Sequence, residues 1–125
     1  MNYDLKNSLT ILNGGLLPLA RTATAAGTGI DLKGYESSVC VIQDIGAVTG
    51  TSPTCDTRIQ DSADNSSFAD VAGLAFSTVT AANNYQTLNV DPRAVRRYVR
   101  IAPIIGGTTP SFTGAYSVIG RKQVQ

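Results

Sequence analysis

Residues 85–101, YQTLNVDPRAVRRYVRI, carry the clearest strand signal in the chain together with its densest charge. Leu88 and Val90 alternate with Thr87 and Asn89. Beyond the break at Asp91-Pro92, Val95, Val99 and Ile101 alternate with Arg96, Tyr98 and Arg100. Apolar, β-branched and aromatic residues at period two predict half-buried strands, because successive side chains of a strand point to opposite faces. Four of the ten Lys and Arg residues, Arg93, Arg96, Arg97 and Arg100, fall within this stretch. One face packs a core and the other offers guanidinium groups. On a strand Arg96 and Arg100 share a face with Tyr98, whereas Arg97 falls in with Val95 and Val99, so the charges are split.

The same pattern spreads outward. Residues 38–45 (SVCVIQDI) read as a strand whose run Val39-Cys40-Val41-Ile42 is apolar on both faces, which predicts a central position covered on both sides. Residues 46–53 (GAVTGTSP) have the composition of a loop, and 54–61, with Cys55, Thr57 and Ile59 on one face, read as the antiparallel partner of 38–45. Residues 63–66 form a turn, since Asp and Asn tolerate the left-handed region and hydrogen-bond their own backbone. Short strands over 68–71 and 74–80, separated by Gly73, lead through a turn at 81–84 into the opening stretch. A loop at 106–110 (GGTTP) and a last strand over 111–119, with Phe112, Tyr116 and Val118 alternating, close the domain before a polar tail. Upstream, the small-residue segment 21–29 reads as a short strand before a Gly turn, and Lys33-Gly34 as a second turn. About eight short strands at roughly ten-residue spacing predict an all-β, jelly-roll-like antiparallel β-sandwich, two sheets packed about 10 Å apart. An immunoglobulin-like sandwich competes, but the chain has no Trp for its Cys, Trp, Cys pattern.

Residues 1–19 differ from the rest. Leu9, Ile11, Leu12, Leu16 and Leu17 surround Gly14-Gly15 and precede Pro18, too interrupted for a stable helix and too apolar for a disordered tail. The expectation is two parts: an extended N-terminal arm over 1–19, which orders against a partner or a neighbouring copy, and a β-sandwich domain over 20–125.

Composition bounds the function. The chain has 125 residues, enough for one domain with a real core. It is 42% hydrophobic and only 15% charged, against a usual charged share of about 25%. Its surface is therefore rich in Ser, Thr, Asn, Gly and Ala, which suits burial in an assembly. A net charge of +1 argues against nucleic acid or an anionic membrane as partner. No apolar run approaches the roughly 20 residues of a membrane span, and Met1-Asn2-Tyr3-Asp4 lacks the basic start of a secretion signal, so synthesis in a cytoplasm is expected. Cys40 and Cys55, without any His, fit neither a zinc motif nor a dense disulfide framework; they read as small, buried, unbridged residues.

Enzyme readings lack their parts. With no His, the usual general base and the Ser-His and Cys-His systems are gone. Asp61 with Asp64, or Asp56 with Asp70, is the remaining carboxylate route, and Asp at strand ends and turns is ordinarily structural. Residues 61–65 lack the ligand spacing and final Glu of a calcium loop, and no Gly-rich phosphate loop precedes a helix. The expectation is no catalytic, cofactor or metal site. The arginine cluster reads as a solvated face or, through paired carboxylates, as a contact to a protein partner, while the balanced net charge disfavours nucleic acid.

The sequence from Gly29-Ile30-Asp31-Leu32-Lys33-Gly34-Tyr35 through IQDSADNSSFADVAG to LNVDPRAVRRYVRI resembles the small capsid cement, or decoration, proteins of tailed bacteriophages. The resemblance implies a jelly-roll protein on the outer surface of the phage head that bridges neighbouring major capsid subunits and resists internal DNA pressure. It also implies a cyclic homo-oligomer, with a trimer favoured over a dimer. The candidate contacts to capsid or neighbouring subunit are Leu9, Ile11, Leu12, Leu16, Leu17, Arg96 and Arg100. The alternative is a carbohydrate-binding or host-attachment domain of a phage fibre or tail, since IQDSADNSSFADV also resembles the hairpin of discoidin-like sugar-binding domains. With 6% aromatics and no Trp, stacking platforms for sugars are scarce.

Overall fold

The computed structural model describes residues 9–35 and 38–121. Among these there is no helix, and seven strands form one antiparallel sheet: β1 (Thr10–Ile11), β2 (Leu16–Arg21), β3 (Ile30–Asp31), β4 (Val39–Ser62), β5 (Ala69–Ala75), β6 (Asn84–Val90) and β7 (Tyr98–Gly120). The fold is all-β and sandwich-like. Two long strands organise it: β4 and β7 pair from Cys40 against Ile119 at one end to Ser62 against Tyr98 at the other. This ribbon doubles back, because Val39, Val41 and Val118 from one half pack in a single core cluster with Ile59, Val99 and Ile101 from the other. The two layers are thus halves of one curled sheet. The first comprises β6, the start of β4, the end of β7, β1 and β2; the second comprises β5, the end of β4, the start of β7 and β3.

The segments expected as loops at 46–53 and 106–110 are where the ribbon bends, paired to each other inside β4 and β7. Three register shifts occur between Ile45 and Thr54, and Ser52 and Thr109 adopt φ of 48° and 45°. Gly50 and Gly107, at φ 116° and 107°, lie where a Cβ would sit 2.8 Å from the Thr109 carbonyl and 2.6 Å from the Ser52 carbonyl. Only glycine accepts both that dihedral and that approach. Residues 38–45 and 54–61 are therefore not a hairpin. Cys40 stands opposite Ile119 and Asn89, and Cys55 opposite Ile105 and Val79. Both thiols are free; Cys55 is buried at the bend beside Ile45, Val79 and Phe112, but Cys40 is only half-buried on the outer face.

Other differences follow from local hydrogen bonding. Residues 22–29 are irregular, with Gly27 N–H on the Ile101 carbonyl and Thr24 Oγ1 accepting from Ile105 N–H. Gly73 makes a bulge within β5 where a break was expected, and beyond Ala75 the chain stays tied to β4 by Phe76 N–H on the Thr57 carbonyl and by Val79 paired with Cys55. Asp91 caps a turn over 92–97 by accepting from Arg93 N–H, so Arg93, Arg96 and Arg97 sit on a turn and the strand resumes at Tyr98.

The N-terminal segment is extended, and from Thr10 onward it is part of the sheet. Thr10 and Ile11 pair with Gly120 and Ile119, Leu12 N–H donates to Val118 O, and Leu16 and 19–21 pair with 112–116. Leu12 is 6% exposed and lies in the main core. Of the arm expected over residues 1–19, residues 1–8 lie outside the described residues.

One polar cluster crosses the core. Tyr116 OH donates to Gln43 Oε1 at 2.7 Å and accepts from Thr57 Oγ1 at 2.5 Å. Gln43 and Tyr116 belong to the first layer and Thr57 to the second, and Gln43 and Thr57 are wholly buried. Burial pushes the Tyr116 phenol up, so it stays a protonated donor. The Thr57–Tyr116 hydrogen bond ties the two layers together, and the Tyr116–Gln43 bond within the first layer holds the phenol in place to make it.

Candidate interaction surface

Residues directly opposite each other in a sheet share a face. On the first layer, Val39, Val41, Gln43 and Ile45 turn inward. The outward rows are therefore Tyr85, Thr87 and Asn89 on β6; Cys40, Ile42 and Asp44 on β4; Ala115, Ser117 and Ile119 on β7; and Ile11 on β1. Asp44 is the one charged residue in these rows. Ile11 is 79% exposed, Leu17 77%, Tyr85 66% and Leu19, at the β2 edge, 52%. Large apolar side chains this open, on one charge-poor face, are the mark of an interaction surface.

The face is not flat. A hollow of ≈ 410 Å³ lies between Ile11, Leu17, Pro18, Ala115 and Ser117. A second, of ≈ 500 Å³, lies between Leu9, Ser38, Cys40, Ile119 and Arg121. Gly14-Gly15 and the bulge between Leu16 and Leu19 shape the first hollow, because they turn the chain from β1 into β2 and shift the register. Arg21 closes the β2 edge. Its guanidinium donates to the carbonyls of Leu17, Leu19 and Gly114 and lies 5.7 Å from the centre of the Tyr116 ring. Burial lowers its pKa, with Tyr116 opposing.

The outer face of the second layer is opposite in character. Arg58 donates to Asp56 at 2.9 Å and to Asp70 at 3.5 Å, Gln60 donates to Asp70, and Arg100 donates to Gln60 Oε1 while lying 4.3 Å from the Phe68 ring centre. Both carboxylate pairs considered for catalysis are absorbed in this way. Asp56 and Asp70 hold Arg58; Asp61 is gripped by Arg96 through its backbone N–H and side chain, at 2.8–3.0 Å. Asp64 caps the turn after β4, and the amides of Ser67 and Ser66 with the Ser62 hydroxyl hold its carboxyl down to about 2. Among the described residues no three His, Cys, Asp or Glu side chains converge.

The structure sorts the sequence candidates into three groups. Ile11 and Leu17 line one hollow on the outer face of the first layer and Leu9 lines the other. Leu12 and Leu16 turn inward and pack on the core. Arg96 and Arg100 lie elsewhere, with donors engaged by Asp61 and Gln60. Sequence reasoning did not reach Tyr85, Ile42 and Ile119 as surface residues, although the doubly apolar run 39–42 signalled an outer face that wants covering. No family model and no curated protein sequence matches the chain. A solved structure titled "Crystal Structure of FLHE" is similar over 94% of this chain and 99% of its own, at 12% identity and a TM-score of 0.40, a likeness too slight to carry any argument.

Proposed function

We propose that the protein is a structural component of a tailed-phage virion, a cement protein that docks on the outside of the head and stabilises contacts between major capsid subunits. The observation that carries this reading is the charge-poor outer face with Ile11, Leu17 and Tyr85 open to solvent. It sits on a rigid curled sheet whose charged side chains are mostly spent on one another elsewhere. Fully covering an Ile or Leu side chain is worth about 1.5–3 kcal/mol, so a few such residues per copy suffice when many copies repeat around a shell and each engages more than one subunit. The resemblance in the segments around residues 29–35, 59–73 and 88–101 supplies the phage context. The role is non-enzymatic, with the major capsid protein and further copies of the chain as partners.

A protein that binds only the assembled shell adds stability by mass action. Heads stripped of it should release DNA at a lower temperature, and purified protein should restore the higher one. Equal stability of stripped and decorated heads overturns the reading. Glycan-array binding that depends on Tyr85 replaces it with the carbohydrate-binding alternative.

A further inference from the structure

At the end of the sandwich where both termini of β4 and β7 meet, the turns 32–35 and 92–97 enclose a cleft of ≈ 590 Å³. Its floor is apolar, from Leu32, Tyr35, Pro92 and Val95, and its rim carries Lys33, Arg93 and Arg97. Two of the rim cations, Arg93 and Arg97, are held in place by carboxylates and yet keep donors in hand. Arg97 spends Nε and Nη2 on Asp31, at 2.9 and 2.8 Å, which leaves Nη1. Arg93 offers only Nε to Asp91, at 3.3 Å, and its side chain is 81% exposed. Turn geometry is fixed from below, since Asp61 grips Arg96 and Leu32 N–H donates to the Arg97 carbonyl.

We infer that this cleft is a second binding surface, for a short acidic segment of a partner protein that places an apolar side chain on the Leu32–Val95 floor and one or two carboxylates against Arg93, Arg97 and Lys33. Charge complementarity argues for that occupant. Among the described residues three cations line the rim and the interspersed Asp31 and Asp91 answer two of them, a balance that suits one or two carboxylates. A continuous phosphate backbone would meet those two aspartates as well, and a chain of net charge +1 gives it little general attraction. The apolar floor has no role in phosphate binding, whereas it anchors a peptide side chain. This inference does not depend on the virion reading.

The test is a titration of ¹⁵N-labelled protein with an acetylated, amidated Leu-Glu-Glu-Leu-Asp peptide, followed by amide shifts. The expected result is movement of the amides of Lys33, Tyr35, Arg93, Val95 and Arg97, affinity that falls with salt, and about tenfold weakening in Arg93→Glu at unchanged melting temperature. Lys33→Glu gives a second reading on a different turn. Equal shifts with the Leu-Gln-Gln-Leu-Asn isostere, shifts confined to other surfaces, or affinity indifferent to both substitutions would overturn the inference. Tighter binding of a single-stranded oligonucleotide at the same amides would replace it with a nucleic-acid site.

Discussion

The outer faces of the two layers have the same scaffold and opposite surfaces. On the second layer Asp56, Arg58, Gln60, Asp70 and Arg100 answer one another, so their polar groups are largely satisfied without a partner. On the first layer Ile11 and Leu17 stand open beside one hollow and Tyr85 stands open on β6; Asp44 is the one charge in the strand rows, with Arg121 at the second hollow. An interface is better located by unspent apolar surface than by a count of arginines. Exposed ion pairs are worth little in either state, whereas each covered aliphatic side chain contributes about 1.5–3 kcal/mol.

The N-terminal segment sharpens the comparison within a few residues, because Leu12 faces the core while its neighbour Ile11 faces solvent. Leu12→Ala should cost about 2–5 kcal/mol of stability in urea unfolding, the range for a buried Leu that leaves a cavity. Ile11→Ala should be near neutral in the same assay. Equal, small effects would mean that the segment is detachable and that the first layer ends at β7.

Tyr116→Phe probes the link between the layers. It leaves Gln43 Oε1 buried without its 2.7 Å donor and removes the acceptor of Thr57, so a loss of about 1–3 kcal/mol is expected. A neutral substitution would show that the layers are held by apolar packing alone.

The smallest expected effect is on pH dependence at the second layer's end of the sandwich. The Arg97 guanidinium holds the Asp31 carboxyl at about 2, below the ordinary 3.8, and Arg96 lowers Asp61 in the same direction. A carboxylate with a depressed folded-state pKa contributes stability that is fully present above the unfolded value and is lost as pH falls through the folded one. Stability should therefore decline between about pH 4 and 2. Asp31→Asn should flatten that decline in part, because Asp64 titrates in the same window. An unchanged slope in acid-denaturation curves would mean that the Asp31–Arg97 pair forms equally in the unfolded chain.

Much of this was legible in the sequence. Period-two alternation located 54–61, 85–90 and 111–119, because each half-buried strand has one wet face, and the doubly apolar run within 38–45 marked the central strand. The bends were not legible as such: Gly, Ser and Pro at 46–53 have the same composition whether a chain leaves its sheet or kinks within it, and pairing with β7 decides. The inward and outward leucines could not be separated either, since the turn at Gly14-Gly15 and the bulge after Leu16 break the parity. The arginines' true partners lie 35 and 66 residues away, at Asp61 and Asp31, beyond the reach of any local pattern.

The claim that the first layer's outer face is the docking face is tested most directly by oxidative footprinting of the protein free and bound to purified heads. The account predicts that Ile11, Leu17 and Tyr85 lose reactivity on binding while Phe68 and Ile104, on the second layer, keep theirs. Protection of Phe68 and Ile104 with Ile11, Leu17 and Tyr85 unchanged would contradict it.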